Sequence, residues 1–152
     1  MSVIDLLCCM DSVKIIVKGH TREYQNKTGI NDSNIVYDAK RKTADLIEWA
    51  DVILFWSTSV AIEGFIKNKT MVCLNYITAN KNLYQLYNTG YIANCRDDLL
   101  NFVIAYMSNT HQKYYNIDGI EKFMCDVVYA GNTKRPVYIN YLEFMSENEI
   151  TV

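Results

Sequence analysis

Three consecutive hydroxyl residues, Ser57, Thr58 and Ser59, follow the apolar run ILFW at 53–56, and Glu63 stands four residues beyond the last of them. An apolar run of that kind reads as a buried strand, and VAIEGFIKN after the hydroxyls reads as a helix. Helix starts leave backbone N–H groups unpaired and carry partial positive charge. Hydroxyls beside such groups suit an anion, above all a phosphate. They also suit ordinary N-capping, for which one hydroxyl suffices. Glu63 has two open roles. It could accept hydrogen bonds from the hydroxyl pair of a ribose, or form a helix-surface ion pair with Lys67 four residues on. A capping box needs a spacing of three from the cap, so Ser59 and Glu63 do not make one.

A second cluster closes the run VKIIVKGHTR at 13–22, where Lys18, His20 and Arg22 alternate with Gly19 and Thr21. Two cations and an imidazole at a strand end would neutralise a diphosphate, with His20 donating to a phosphoryl oxygen. A solvated charged turn has the same composition.

The elements that must position these clusters follow from hydrophobic patterning. Strands are expected at Val13 to His20, Asn34 to Ala39, Asp51 to Trp56, Thr70 to Tyr76 and Tyr91 to Cys95. Helices are expected over Val3 to Met10, the segment KTADLIEWA, the segment after Ser59, NLYQLYNTG with Gly90 as its C-cap, RDDLLNFVIAYMSN, and NIDGIEKFMCDVVY. The segment KRPVYINYLEFM reads equally as strand or helix, and His111 as a surface loop residue. Strands without polar alternation, separated by helices, predict an α/β fold: a Rossmann-like, doubly wound parallel sheet of about five or six strands with helices on both faces. Ligands of such sheets bind beyond the carboxyl ends of the strands. One sheet would therefore bring the two clusters to a common edge.

Composition narrows the class. The chain has 152 residues, enough for one domain over 1–152, with half of them hydrophobic and a formal net charge of −2. That balance lacks the basic footprint of a nucleic-acid binder. The apolar N-terminus is short, has no basic flank and contains Asp5, so it reads neither as a signal peptide nor as a transmembrane segment. Five cysteines without CxxC spacing read as buried free thiols of a cytoplasmic protein. GxGxxG, GxxxxGK[ST], HExxH and GxSxG are all missing, as is any Asp-x-Asp pair, so the sequence carries no metal or cofactor signature.

The stretches KIIVKGHTRE and ADLIEWADVILFWSTSVAIEGFIKNKTMVCLNY together resemble the C-terminal, donor-binding half of GT-B glycosyltransferases. The likeness is nearest to enzymes of bacterial capsule and surface-polysaccharide synthesis, and covers roughly residues 13 to 95. UDP-N-acetylglucosamine 2-epimerases share the architecture. Lys18, His20 and Arg22 match the family's basic turn, although Thr21 stands where a proline is usual. Ser57 to Ser59 match its hydroxyl turn, and Glu63 its ribose-binding glutamate. Asn68-Lys69-Thr70 replaces the usual Gly-Lys-Pro, and Asn80 to Asn82 fall where donor contacts are common.

The resemblance implies a nucleotide-sugar as substrate, no cofactor, and turnover that depends on an N-terminal acceptor domain or a partner subunit to supply the catalytic base. The catalytic residues themselves are not identified. The competing expectations are a non-catalytic α/β binding or scaffold subunit, with QKYYN and YINYLEF as interface, and a UDP-N-acetylglucosamine 2-epimerase-like domain, which would need additional acids from another domain.

Overall fold

A computed structural model describes residues 7, 10, 12–19, 35–38, 40–80, 82–109, 116–129, 131 and 139. Strands β1 (Ile15–Val17) and β2 (Ile35–Tyr37) pair in parallel. Strands β3 (Val52–Phe55), β4 (Thr70–Leu74) and β5 (Tyr91–Ala93) form a second parallel sheet in the order β3-β4-β5. Between them run α1 (Thr43–Trp49), α2 (Val60–Ile66) and α3 (Leu83–Tyr87). After β5 come α4 (Arg96–Met107) and α5 (Ile117–Phe123), the latter continuing into a π-helical turn, Met124–Val128.

β4 explains why TMVCL shows no polar alternation. Successive side chains of a strand point to opposite faces, and here both faces are covered. Met71 and Cys73 enter a core with Phe55, Ala61, Phe65, Tyr84, Ile120 and Phe123. Val72 enters the opposite core with Ala93, Leu99 and Phe102. Register carries the split across the sheet: Phe55 pairs with Cys73, which pairs with Ile92, whereas Leu54 pairs with Val72, which pairs with Tyr91. Helices α2, α3 and α5 therefore cover one face and α4 the other. Phe55 packs edge-on against Phe65 and Tyr84, with ring centroids 6.1 Å and 5.0 Å apart. Truncating a ring buried as fully as Phe65 to alanine costs on the order of 3–5 kcal/mol.

The expected α/β class with parallel strands is present, but in two small sheets. Among the described residues no ladder joins β1 to β3. Of the opening segment expected as a helix, Leu7 is helical and buried. His20, Arg22, His111 and nearly all of residues 132–152 lie outside the described residues.

The helix ends depart from expectation in an instructive way. α3 closes on Asn88, left-handed at φ 52°, and not on Gly90. The Asn88 and Thr89 amides donate back to Gln85 and Tyr84, the reverse turn that a left-handed residue permits. Asn68 (φ 53°) does the same after α2, with Asn68 and Lys69 donating to Phe65 and Gly64. Gly90 serves another need, since a Cβ there would lie 2.9 Å from the Met71 carbonyl oxygen on β4. Lys69 then reaches back to α1, its Nζ donating to the carbonyls of Glu48 (2.7 Å) and Ala50 (3.0 Å). A cation suits that carbonyl-rich helix end.

Candidate functional site

β3 is anchored by the buried Phe55 ring, and beyond it the chain turns sharply. Ser57 sits at φ 41°, a left-handed conformation uncommon for a residue other than glycine or asparagine. The turn is held from two sides. The Thr58 hydroxyl accepts from the Val60 amide at 3.3 Å. Tyr84 Oη donates to the Thr58 carbonyl at 2.7 Å, from the first turn of α3. Ser59 begins the helical backbone, and its side chain makes no capping bond. One hydroxyl of the three therefore does the capping. Those of Ser57 and Ser59 have no partner among the described residues.

These three residues line an open cleft of about 360 Å³ with Ile62, Asn82, Leu83, Tyr84, Phe123 and Val127. Asn82 is buried and committed at both ends of its amide. Its Oδ1 accepts from the Gln85 amide at 2.8 Å, capping α3, and its Nδ2 donates to Cys73 Sγ at 3.2 Å. Burial pushes the Cys73 thiol up, against the opposing pull of that bond, so Cys73 stays protonated near neutrality. Burial likewise raises the Tyr84 phenol.

Glu63 is not part of the cleft lining. α2 buries Ala61, Gly64 and Phe65, and that rotation turns Ile62 toward the cleft. Glu63 Oε1 instead lies 4.0 Å from Lys67 Nζ, with the Glu63 side chain 41% exposed.

Lys18 follows β1, on the other sheet. Its Nζ donates to the Arg41 carbonyl at 2.7 Å. Asp38, directly after β2, organises this edge. Its Oδ1 accepts from the amides of Lys40 and Arg41, both at 2.9 Å, and its Oδ2 pairs with Arg41 Nε at 2.9 Å. The Arg41 amide bond is the main cause holding the Asp38 carboxyl below its usual range. The Lys40 amide and the charges of Arg41 and Lys18 add to it, while burial opposes. Sequence reasoning missed Asp38 and Arg41, although an aspartate at a strand end is a common turn former.

The structure thus joins Ser57, Thr58 and Ser59 in one cleft and sets Lys18 in a separate, self-satisfied cluster. Leu83, Tyr84 and Val127 are cleft residues that sequence patterning assigned only to helices, while Asn82, which the resemblance placed where donor contacts are common, also lines the cleft. A further polar edge lies beyond β4 and β5, where Asn75 Nδ2 donates to Asn94 Oδ1 at 3.0 Å. There the Asn75 Oδ1 and the Tyr76 hydroxyl are buried without a partner among the described residues. Among those residues no group of three or more His, Cys, Asp or Glu could hold a metal ion. No described helix is long and apolar enough to cross a membrane.

Comparison with family models, with curated proteins and with solved structures returned no match.

Proposed function

We propose that this chain is the nucleotide-sugar donor-binding domain of a GT-B-type glycosyltransferase of surface or capsular polysaccharide synthesis. The observation that carries the reading is the left-handed Ser57 turn, which turns two uncommitted hydroxyls into a cleft at the carboxyl end of a parallel strand. Backbone strain of this kind collects at ligand-binding turns. Successive amides in left- and right-handed conformations form anion-binding concavities.

In this reading Ser57 and Ser59 receive the donor's phosphates. The basic turn of Lys18, His20 and Arg22 would, as the resemblance implies, neutralise the same phosphates. The cations and turn amides would stabilise charge on the departing phosphate, the contribution that dominates such reactions. Glu63, outside the cleft lining, would leave Lys67 to hold a ribose that extends from the cleft over the surface of α2. An exposed pair of that kind contributes only about 0.3–0.5 kcal/mol, so little opposes the exchange. An acceptor domain or partner subunit would supply the catalytic base.

The Glu63–Lys67 pair also favours a second reading, a non-catalytic α/β scaffold subunit, because it gives the glutamate a structural role. Thermal stabilisation by UDP, CDP, CMP and GDP separates the two. Ligand that binds only the native state raises stability with the logarithm of its excess over Kd. A shift lost in His20→Ala and Glu63→Ala supports the donor site. A well-folded protein with no shift for any nucleotide leaves the scaffold.

A further inference from the structure

We infer that Asn82 is the positioning residue of the hydroxyl turn. Its bond to Cys73 places α3 on β4, and α3 in turn holds Ser57 to Ser59 through Tyr84. For the ligand this rests on the donor-site reading above. α3 has only five residues, too few to hold a helix by backbone bonding alone. Its place is therefore set by what grips its first turn. Asn82 does so from just outside the helix. Its Oδ1 accepts from the Gln85 amide at 2.8 Å, and its Nδ2 donates to Cys73 Sγ at 3.2 Å. One planar amide thus ties the start of α3 to a single atom of β4.

The level of that atom in the sheet matters. Cys73 pairs with Phe55, the last residue of β3, after which the chain passes through Trp56 into Ser57. Tyr84, in the first turn of α3, packs on Phe55 and donates to the Thr58 carbonyl. Cys73, Asn82, Tyr84 and Thr58 therefore form one line of contacts from the central strand to the turn.

Packing alone does not call for an amide at this position. Asn82 is 8% exposed, and burying a polar side chain costs stability unless it is hydrogen-bonded. An aspartate would cap α3 equally well, but has no hydrogen to give Cys73 when ionised. A buried polar contact specifies one arrangement where apolar packing tolerates several.

Asn82→Ala would strip the α3 cap as well, so the test cuts the bond from its other end. Cys73→Ala removes the acceptor and Cys73→Ser restores one. Val72→Ala is the control, one residue away on β4 but in the opposite core. All are made in Trp49→Phe, which leaves Trp56, beside the turn and 43% exposed, as the one tryptophan of the chain. Trp56 emission reads the turn. Calorimetry reads affinity for whichever of UDP, CDP, CMP and GDP stabilises the parent most, and urea unfolding ranks stability.

We expect Cys73→Ala to shift Trp56 emission and to weaken nucleotide binding about tenfold through lost preorganisation. Cys73→Ser should recover both. Val72→Ala should change neither, while losing at least as much stability. Three results would each overturn the inference and leave the donor site standing: Cys73→Ala matching the parent in emission or affinity, no recovery in Cys73→Ser, or the same changes in Val72→Ala. A parent that binds no nucleotide removes the donor-site reading instead. Emission then decides the inference: a shift in Cys73→Ala reversed in Cys73→Ser upholds it, and an unchanged spectrum overturns it.

Discussion

Tyr84 Oη donates to the Thr58 carbonyl at 2.7 Å, so a residue of α3 fixes the turn that ends β3. The same ring packs against Phe55 on one side and Phe123 on the other, at centroid distances of 5.0 Å each. The turn is therefore braced by the core beneath it. In Tyr84→Phe the ring stays and the bond goes. We expect a loss of about 1 kcal/mol in urea unfolding, together with a smaller thermal shift for any nucleotide that binds. A shift undiminished in Tyr84→Phe would mean that the turn holds its shape unaided.

Ser57→Gly separates strain from function. Glycine adopts φ near 41° without the steric penalty that serine bears there. The substitution should leave the protein as stable as the parent or up to about 1 kcal/mol more so. Ligand binding should nevertheless weaken, because the hydroxyl is gone. Ser57→Val, with a branched side chain in the same conformation, should be destabilised by at least about 1 kcal/mol. Equilibrium unfolding of the pair checks the sign, and nucleotide titration checks the divergence.

Gly119 sits where α5 meets the end of α3. A Cβ at this position would collide with the Tyr87 carbonyl and lie 2.9 Å from that of Asn88, both backbone atoms that cannot rotate away. Its amide is also bonded to the Asn116 side chain at 3.2 Å. Gly119→Ala should cost about 1–3 kcal/mol by overpacking. It should also displace Phe123 and Val127 from the cleft wall, seen as weakened nucleotide binding at unchanged β3 geometry.

Asp38 sets an acid limit. Its carboxyl titrates below the ordinary value when folded, so the folded state favours the ionised form. The sign follows from linkage: the contribution is present above about pH 4, where an unfolded aspartate titrates, and is lost as pH falls through the lower folded value. Thermal melts from pH 7 downward should show Asp38→Asn less stable than the parent at neutrality. The difference should shrink below about pH 4. A constant offset at all pH values would mean that the charge plays no part.

The α/β class and the elements flanking the cleft were legible because their signals are local. In TMVCL each side chain is apolar whichever face it takes, so a strand buried on both sides announces itself without knowledge of its neighbours. The hydroxyl turn was legible for a similar reason, as polar residues directly after such a strand. The helix ends were not. Asn88 and Gly90 both permit a left-handed cap, and the choice rested on which carbonyls the closing amides could reach. Gly90 was needed instead where the chain entering β5 passes the β4 backbone. Local spacing offered the Glu63–Lys67 pair as one of two roles for Glu63, whereas the bond from Lys18 to the Arg41 carbonyl lay beyond local pattern.

What the amino-acid sequence determined by itself, then, is where the chain forms parallel strands and where hydroxyls follow one. Tertiary structure decided which side chains remain free to bind. Ala61, Gly64 and Phe65 had to face the core, and that rotation left Glu63 outside the cleft. Tyr84 and Asn82 were drawn into bonds with Thr58 and Cys73. Each outcome depends on contacts between residues distant in the chain, whose mutual satisfaction no local spacing encodes.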